Sequence, residues 1–116
     1  MRISATIQVF AFVLLSASAT ARAEVTNMDE ADSQIDKITE QIDRDSKNAA
    51  LYLQRGELYF KMNEFEDAIE DFTMAIKLDS SMDAAWYGRG MANGRSGFIS
   101  EGIADLSVYI ERNPND

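Results

Sequence analysis

Residues 49–82 and 83–116 are two versions of one 34-residue unit. Laid over each other they pair Ala50 with Ala84, Arg55 with Arg89, Gly56 with Gly90, Ile69 with Ile103, Asp71 with Asp105 and Ile76 with Ile110. Tyr52/Trp86, Lys61/Arg95, Phe65/Ile99, Asp67/Glu101, Ala68/Gly102 and Phe72/Leu106 are like-for-like pairs. A fixed period of this length marks stacked supersecondary units, none of which buries its apolar face alone.

Each unit reads as two helices. In the first they cover 50–62 and 65–78, with Asn63-Glu64 as the turn; Asn63 and Glu66 have the spacing of a capping box. In the second they cover about 84–95 and 98–111, with Ser96-Gly97 as the turn and Asn113-Pro114 as the stop. One proline in 116 residues fits a helical chain. Gly56 and Gly90 fall where the two helices of a unit cross, and Ala68 offers a matching small surface. Tyr52, Tyr59, Phe65, Ile69, Phe72 and Ile76 fill the space around that crossing, so the aromatic stripe is core rather than a cofactor box. Upstream, 24–48 reads as one amphipathic helix, because Met28, Ala31, Ile35, Ile38 and Ile42 alternate spacings of three and four. Shifted by the period, Ile38 falls where Phe72 and Leu106 fall. The segment is expected to cap the first face of helix 50–62, with a short coiled-coil seam as the rival reading.

These residues resemble the tetratricopeptide repeat family, whose pattern sets a large aromatic, Leu-Gly, Tyr, Ala, Phe and Pro along 34 residues. The first unit supplies Tyr52, Arg55-Gly56, Tyr59, Ala68, Phe72 and Ala75, with Ser80 in the place of Pro. The second supplies Trp86, Arg89-Gly90, Leu106 and Pro114, and departs at Asn93, Gly102 and Tyr109. The resemblance implies an all-α fold: an α-α superhelix, or short solenoid, made of an N-terminal capping helix and two helix-turn-helix repeats. It also implies a non-enzymatic protein–protein interaction module, a small adaptor or scaffold.

In that family the first helices of successive units line the concave surface. Position by position, that surface includes Leu53, Glu57, Phe60 and Lys61, then Tyr87, Met91 and Arg95. The carboxylate-clamp subgroup presents Lys, Asn and Arg to a C-terminal carboxylate, whereas Leu53, Glu57, Tyr87 and Met91 stand at the relevant positions here. The expected ligand is therefore an apolar anchor on a peptide or helix of another protein, with Lys61 and Arg95 at the rim. The family commonly closes its C-terminal end with a further helix. With none following 98–111 in this sequence, Leu106, Tyr109 and Ile110 form a candidate open-end interface. The alternative function is therefore a self-assembling structural subunit, a homo-oligomer joined through that face.

Residues 1–23 read as a secretory signal peptide. Arg2 starts it, Val9 to Leu15 is the apolar core, and Ala21-Arg22-Ala23 is the small-x-small cleavage pattern. An uncleaved anchor is the alternative, because Ile3 to Ala21 carries no charge. Ser4, Thr6, Gln8, Ser16, Ser18 and Thr20 argue for cleavage, since they break the apolar run below a membrane span. The expected address is periplasmic or secreted, without stable membrane insertion after cleavage.

Composition narrows the chemistry. There is no Cys and no His, which excludes disulfides, Cys/His zinc sites, thiol nucleophiles and His-based acid–base pairs. A net charge of −9 argues against nucleic acid as a partner. Asp43, Asp45 and Lys47 alternate like the opening of a calcium loop, but Lys47 breaks the ligand set and no Glu closes it. Glu64, Glu66, Asp67, Glu70 and Asp71 read as a solvated acidic face. No catalytic residue, cofactor or metal is expected, and the chain is not read as an enzyme. Helix 84–95, with Gly88, Gly90 and Gly94, is expected to be looser than helix 50–62.

Overall fold

The computed structural model describes residues 27–116, so the signal-peptide reading of 1–23 lies outside the described residues. The chain divides into two units, Met1–Ser33 and Gln34–Asp116. Helix α1 covers 27–44. It is followed by α2 (Ala49–Lys61), α3 (Phe65–Leu78), α4 (Asp83–Ser96) and α5 (Ile99–Arg112). No strand occurs among the described residues. Within Gln34–Asp116, α2 pairs with α3 and α4 with α5, while α3 also packs on α4, giving an all-α helical solenoid. Among the described residues no helix is long and apolar enough to cross a membrane.

Local chemistry sets the helix ends. The side chain of Asn48 accepts from the Ala50 N–H at 3.2 Å and so caps α2. Asn63 adopts φ 62°, a left-handed conformation that asparagine tolerates, and it closes the turn after α2. The capping box read from Asn63 and Glu66 is therefore not formed: Glu64 precedes α3, and no side chain caps that end. Gly97, at φ 89°, ends α4, and its N–H reaches the carbonyls of Asn93 and Gly94.

The core lies between the hairpins. Ile42, Tyr52, Ala75, Ile76 and Ala85 form one buried cluster, with Trp86 packed against it. Ala68, Phe72 and Ala92 form a second, flanked by Tyr59, Phe60 and Ile69. Burial of this apolar surface supplies the main driving force for docking the hairpins.

A polar motif recurs with the same period. Arg55 grips Asp71 through Nε and Nη2, both at 2.8 Å, and its Nη1 reaches Thr39 Oγ1 at 3.1 Å. Arg89 grips Asp105 at 2.8 and 2.7 Å and reaches Thr73 Oγ1 at 3.3 Å. The hydrogen bonds to Asp71 raise the Arg55 pKa above its ordinary value, against the opposing pull of burial. Asp71 is buried, so it does not belong to the solvated acidic face in which its neighbours place it; Glu66, Asp67 and Glu70 remain exposed. Tyr52 Oη and Trp86 Nε1 each donate to a loop carbonyl at 3.0 Å, that of Ser46 and that of Ser80. Asn93, in the register of Tyr59, donates to Asp105 at 3.1 Å, which explains that departure in the second unit. Gly102 replaces Ala68 because a Cβ there would stand 2.9 Å from the Gly90 carbonyl oxygen.

Candidate partner-binding groove

The period that packs α2 against α4 leaves their free faces side by side. They border a groove of about 670 Å³, closed on one side by α5 and floored by Phe72 of α3. Its volume lies within the range of ligand pockets. From α2 come Glu57, Phe60 and Lys61; from α4 come Asp83, Ala84, Tyr87, Gly88 and Met91; from α5 comes Tyr109, with Asn113 at its C-terminal cap.

Phe72 is only 1% exposed, yet its ring edge forms the floor. That access depends on Gly88, where a Cβ would lie 2.6 Å from Phe72 Cζ. Phe60 is set edge-on against Phe65, with centroids 5.5 Å apart. Tyr87 lies 5.1 Å from Tyr109, tilted by 53°, so the α4 and α5 walls meet through aromatic contact.

The α5 wall is tied down by polar links. Arg112 Nη1 donates to the Ser80 carbonyl at 2.7 Å and to Asp83 at 3.2 Å, and Asn113 Nδ2 donates to Asp83 at 3.2 Å. The Arg112 guanidinium also lies over the Trp86 ring, 5.6 Å from its centroid. The Tyr109 hydroxyl donates to Asp116, and this bond raises the Tyr109 pKa.

Glu57, Phe60, Lys61, Tyr87 and Met91 are brought together in the groove. Leu53 is not in the lining; it packs against both core clusters. Arg95 is exposed and also outside the lining. Tyr109 stands in the groove wall against Tyr87, not on the outer face with Ile110, because consecutive helical side chains point about 100° apart. Leu106 is half-buried, its side chain 2.8 Å from where a Gly90 Cβ would be. The outer face of α5 is instead carried by Ile99, Ile103 and Ile110. Sequence reasoning missed Phe72, Asp83, Ala84, Gly88 and Asn113 as lining. Ala84 and Gly88 were within reach, since 84, 87, 88 and 91 share one helical face.

Among the described lining residues Lys61 is the one cation, against the carboxylates of Glu57 and Asp83. The arrangement suits an apolar side chain over Phe72 and between Phe60, Tyr87 and Met91. Among the described residues no group of three or more acidic side chains could hold a metal ion. Asp45 instead accepts from Asn48 at 3.1 Å in the loop before α2.

Stacked helical hairpins bordering an aromatic-lined groove define a helical-repeat protein. Residues 49–82 match the family model of the tetratricopeptide repeat, and the chain belongs to that family. It is 33% identical to RNA polymerase II-associated protein 3 of Homo sapiens over 85 residues, 73% of this chain and 13% of that protein. It is 38% identical to DnaJ homolog subfamily C member 7 of Mus musculus over 63 residues, 53% of this chain and 13% of that protein. The chain thus spans less than a fifth of the length of the curated relatives it matches. Among solved structures, it resembles the second TPR of Spaghetti (RPAP3) bound to HSP90 peptide SRMEEVD. The TM-score is 0.68 at 32% identity, covering 69% of this chain and 74% of that one. The second TPR domain of human RPAP3 in complex with HSP70 peptide SGPTIEEVD gives a TM-score of 0.71 at 31% identity, covering 74% and 72%.

Proposed function

We propose that this chain is a non-enzymatic adaptor that holds a segment of a partner protein in the groove between α2, α4 and α5. The observation that carries the reading is the floor made by Phe72 where Gly88 lacks a side chain, ringed by Phe60, Tyr87 and Met91. Such a site takes one apolar side chain of the partner as an anchor. The peptide complexes of similar domains support a groove of this kind as a peptide site. The ligand differs from theirs in chemistry. An acidic peptide ending in a carboxylate needs clustered cations, whereas Lys61 shares the groove lining with Glu57 and Asp83 here. The reading of 1–23 as a signal peptide makes the adaptor an exported one.

Photocrosslinking in cells from position 87 tests this reading. The expected result is one discrete heterologous adduct, lost when Met91→Glu is added. Adducts with other copies of the chain alone, or an adduct indifferent to Met91→Glu, would contradict it.

A further inference from the structure

Glu57 lines the groove from α2 and is exposed. Among the described residues the ion pairs are Arg55–Asp71, Arg89–Asp105 and Arg112–Asp83, so its carboxylate has none. Lys61, one helical turn further along α2, is the one lining cation and does not reach it. Asp83, the other acid of the lining, is already held by Arg112 and Asn113, both at 3.2 Å.

The rings of the groove are uncovered in the same way. Among the described residues Arg55 lies over Tyr52, and Arg89 and Arg112 lie over Trp86, at 5.9, 5.2 and 5.6 Å from the centroids. None of these cations stands on Phe60, Tyr87 or Tyr109. Tyr87 is exposed. An unpaired carboxylate and open ring faces in one groove both attract a cationic side chain.

The charge of the whole chain acts in the same direction. Twenty acidic residues stand against 11 basic ones, a net charge of −9. Arg95, the counterpart of Lys61 one period on, lies outside the lining and adds no second cation to it. Such a field draws in a basic segment and repels an acidic one.

We propose that the groove takes a basic segment of a partner protein: an apolar anchor over Phe72, flanked by lysines or arginines, one of them on Glu57. This rests on the groove being a partner site and adds the charge of the partner. Apolar contact supplies most of the affinity, because an exposed ion pair adds little. The charges select the partner and speed its approach.

A phage-displayed library of random peptides, panned on the full chain, supplies the probes. Binders lost with Tyr87→Ala are groove binders, and they should share one apolar residue flanked by Lys or Arg. A synthetic copy of the strongest should bind about tenfold more weakly to Glu57→Lys and about threefold more weakly to Glu57→Gln. Lys61→Glu should strengthen it, and added salt should slow its association. Glu70→Lys, on α3 outside the groove, makes the same change in net charge and should move the affinity by no more than about twofold. Glu57, Lys61 and Glu70 are exposed, so the fold tolerates these exchanges. Three results would overturn the proposal and leave the groove a partner site: groove binders with acidic or uncharged flanks, binding indifferent to Glu57→Lys, or a loss as large with Glu70→Lys as with Glu57→Lys. If no binder is lost with Tyr87→Ala, the groove is not a partner site and the proposal falls with it.

Discussion

Arg55 and Asp71 face each other through two parallel hydrogen bonds of 2.8 Å, and Arg89 and Asp105 repeat the fork in the next hairpin. The carboxylates are nearly enclosed, with side-chain exposure of 7%, so removing one partner strands a charge. Asp71→Ala should destabilise the chain by about 3 kcal/mol, the low end for a buried pair because Arg55 keeps 18% exposure. Urea unfolding measures this. The double variant Arg55→Met/Asp71→Ala should recover much of the loss, since no uncompensated charge remains.

The glycines of α4 separate stability from binding. Gly94 has no atom within 4 Å of a built Cβ, so Gly94→Ala should stabilise by about 0.5 kcal/mol through helix propensity alone. Gly88→Ala places its methyl 2.6 Å from Phe72 Cζ, which forces the ring to move. It should cost about 1–2 kcal/mol net and close the groove floor. Thermal unfolding of both variants, with partner binding measured alongside, checks the contrast.

The Tyr109–Asp116 bond should make the groove wall sensitive to alkali. Donation to Asp116 raises the Tyr109 pKa, so the neutral phenol is favoured in the folded chain. The resulting stability is full below the ordinary tyrosine pKa, about 10, and is lost as pH rises through the raised value. Tyrosinate absorbance, compared between the wild-type chain and Asp116→Asn, should show one tyrosine titrating at lower pH in the variant. An unchanged titration would remove Asp116 as the cause.

Tyr87 is 46% exposed and gives up only its contact with Tyr109, so Tyr87→Ala should lower stability by no more than about 1 kcal/mol. Its effect should fall on partner binding, about tenfold or more for a residue at the centre of an interface. Circular-dichroism melts paired with affinity measurements separate the two effects.

The repeat arithmetic made the hairpins legible. Helix ends proved harder to read, because Asn63 as a left-handed turn residue and Asn63 as a cap look alike in sequence. The acidic run looked uniform, but Asp71 has a partner 16 residues upstream that no local pattern shows. In the groove, Glu57, Phe60, Lys61, Tyr87 and Met91 followed from the helical period and the family resemblance. Phe72 did not, since a core residue reaches the groove only where Gly88 lacks a side chain. The sequence alone puts Tyr109 with the outer face because its partner, Tyr87, lies in another helix. Ile99 and Ile103 are not legible for the complementary reason: their counterparts Phe65 and Ile69 are half-buried in the first unit, and only the position of α5 exposes them.

The most direct test of the groove is hydrogen exchange of the chain alone and with the partner captured from position 87. Added protection is expected in 57–61, in 84–91 and around 109–113, with little change on the acidic side of α3. Protection centred on the acidic residues of α3 or on Ile103 and Ile110, with 84–91 unchanged, would contradict a partner seated in the groove.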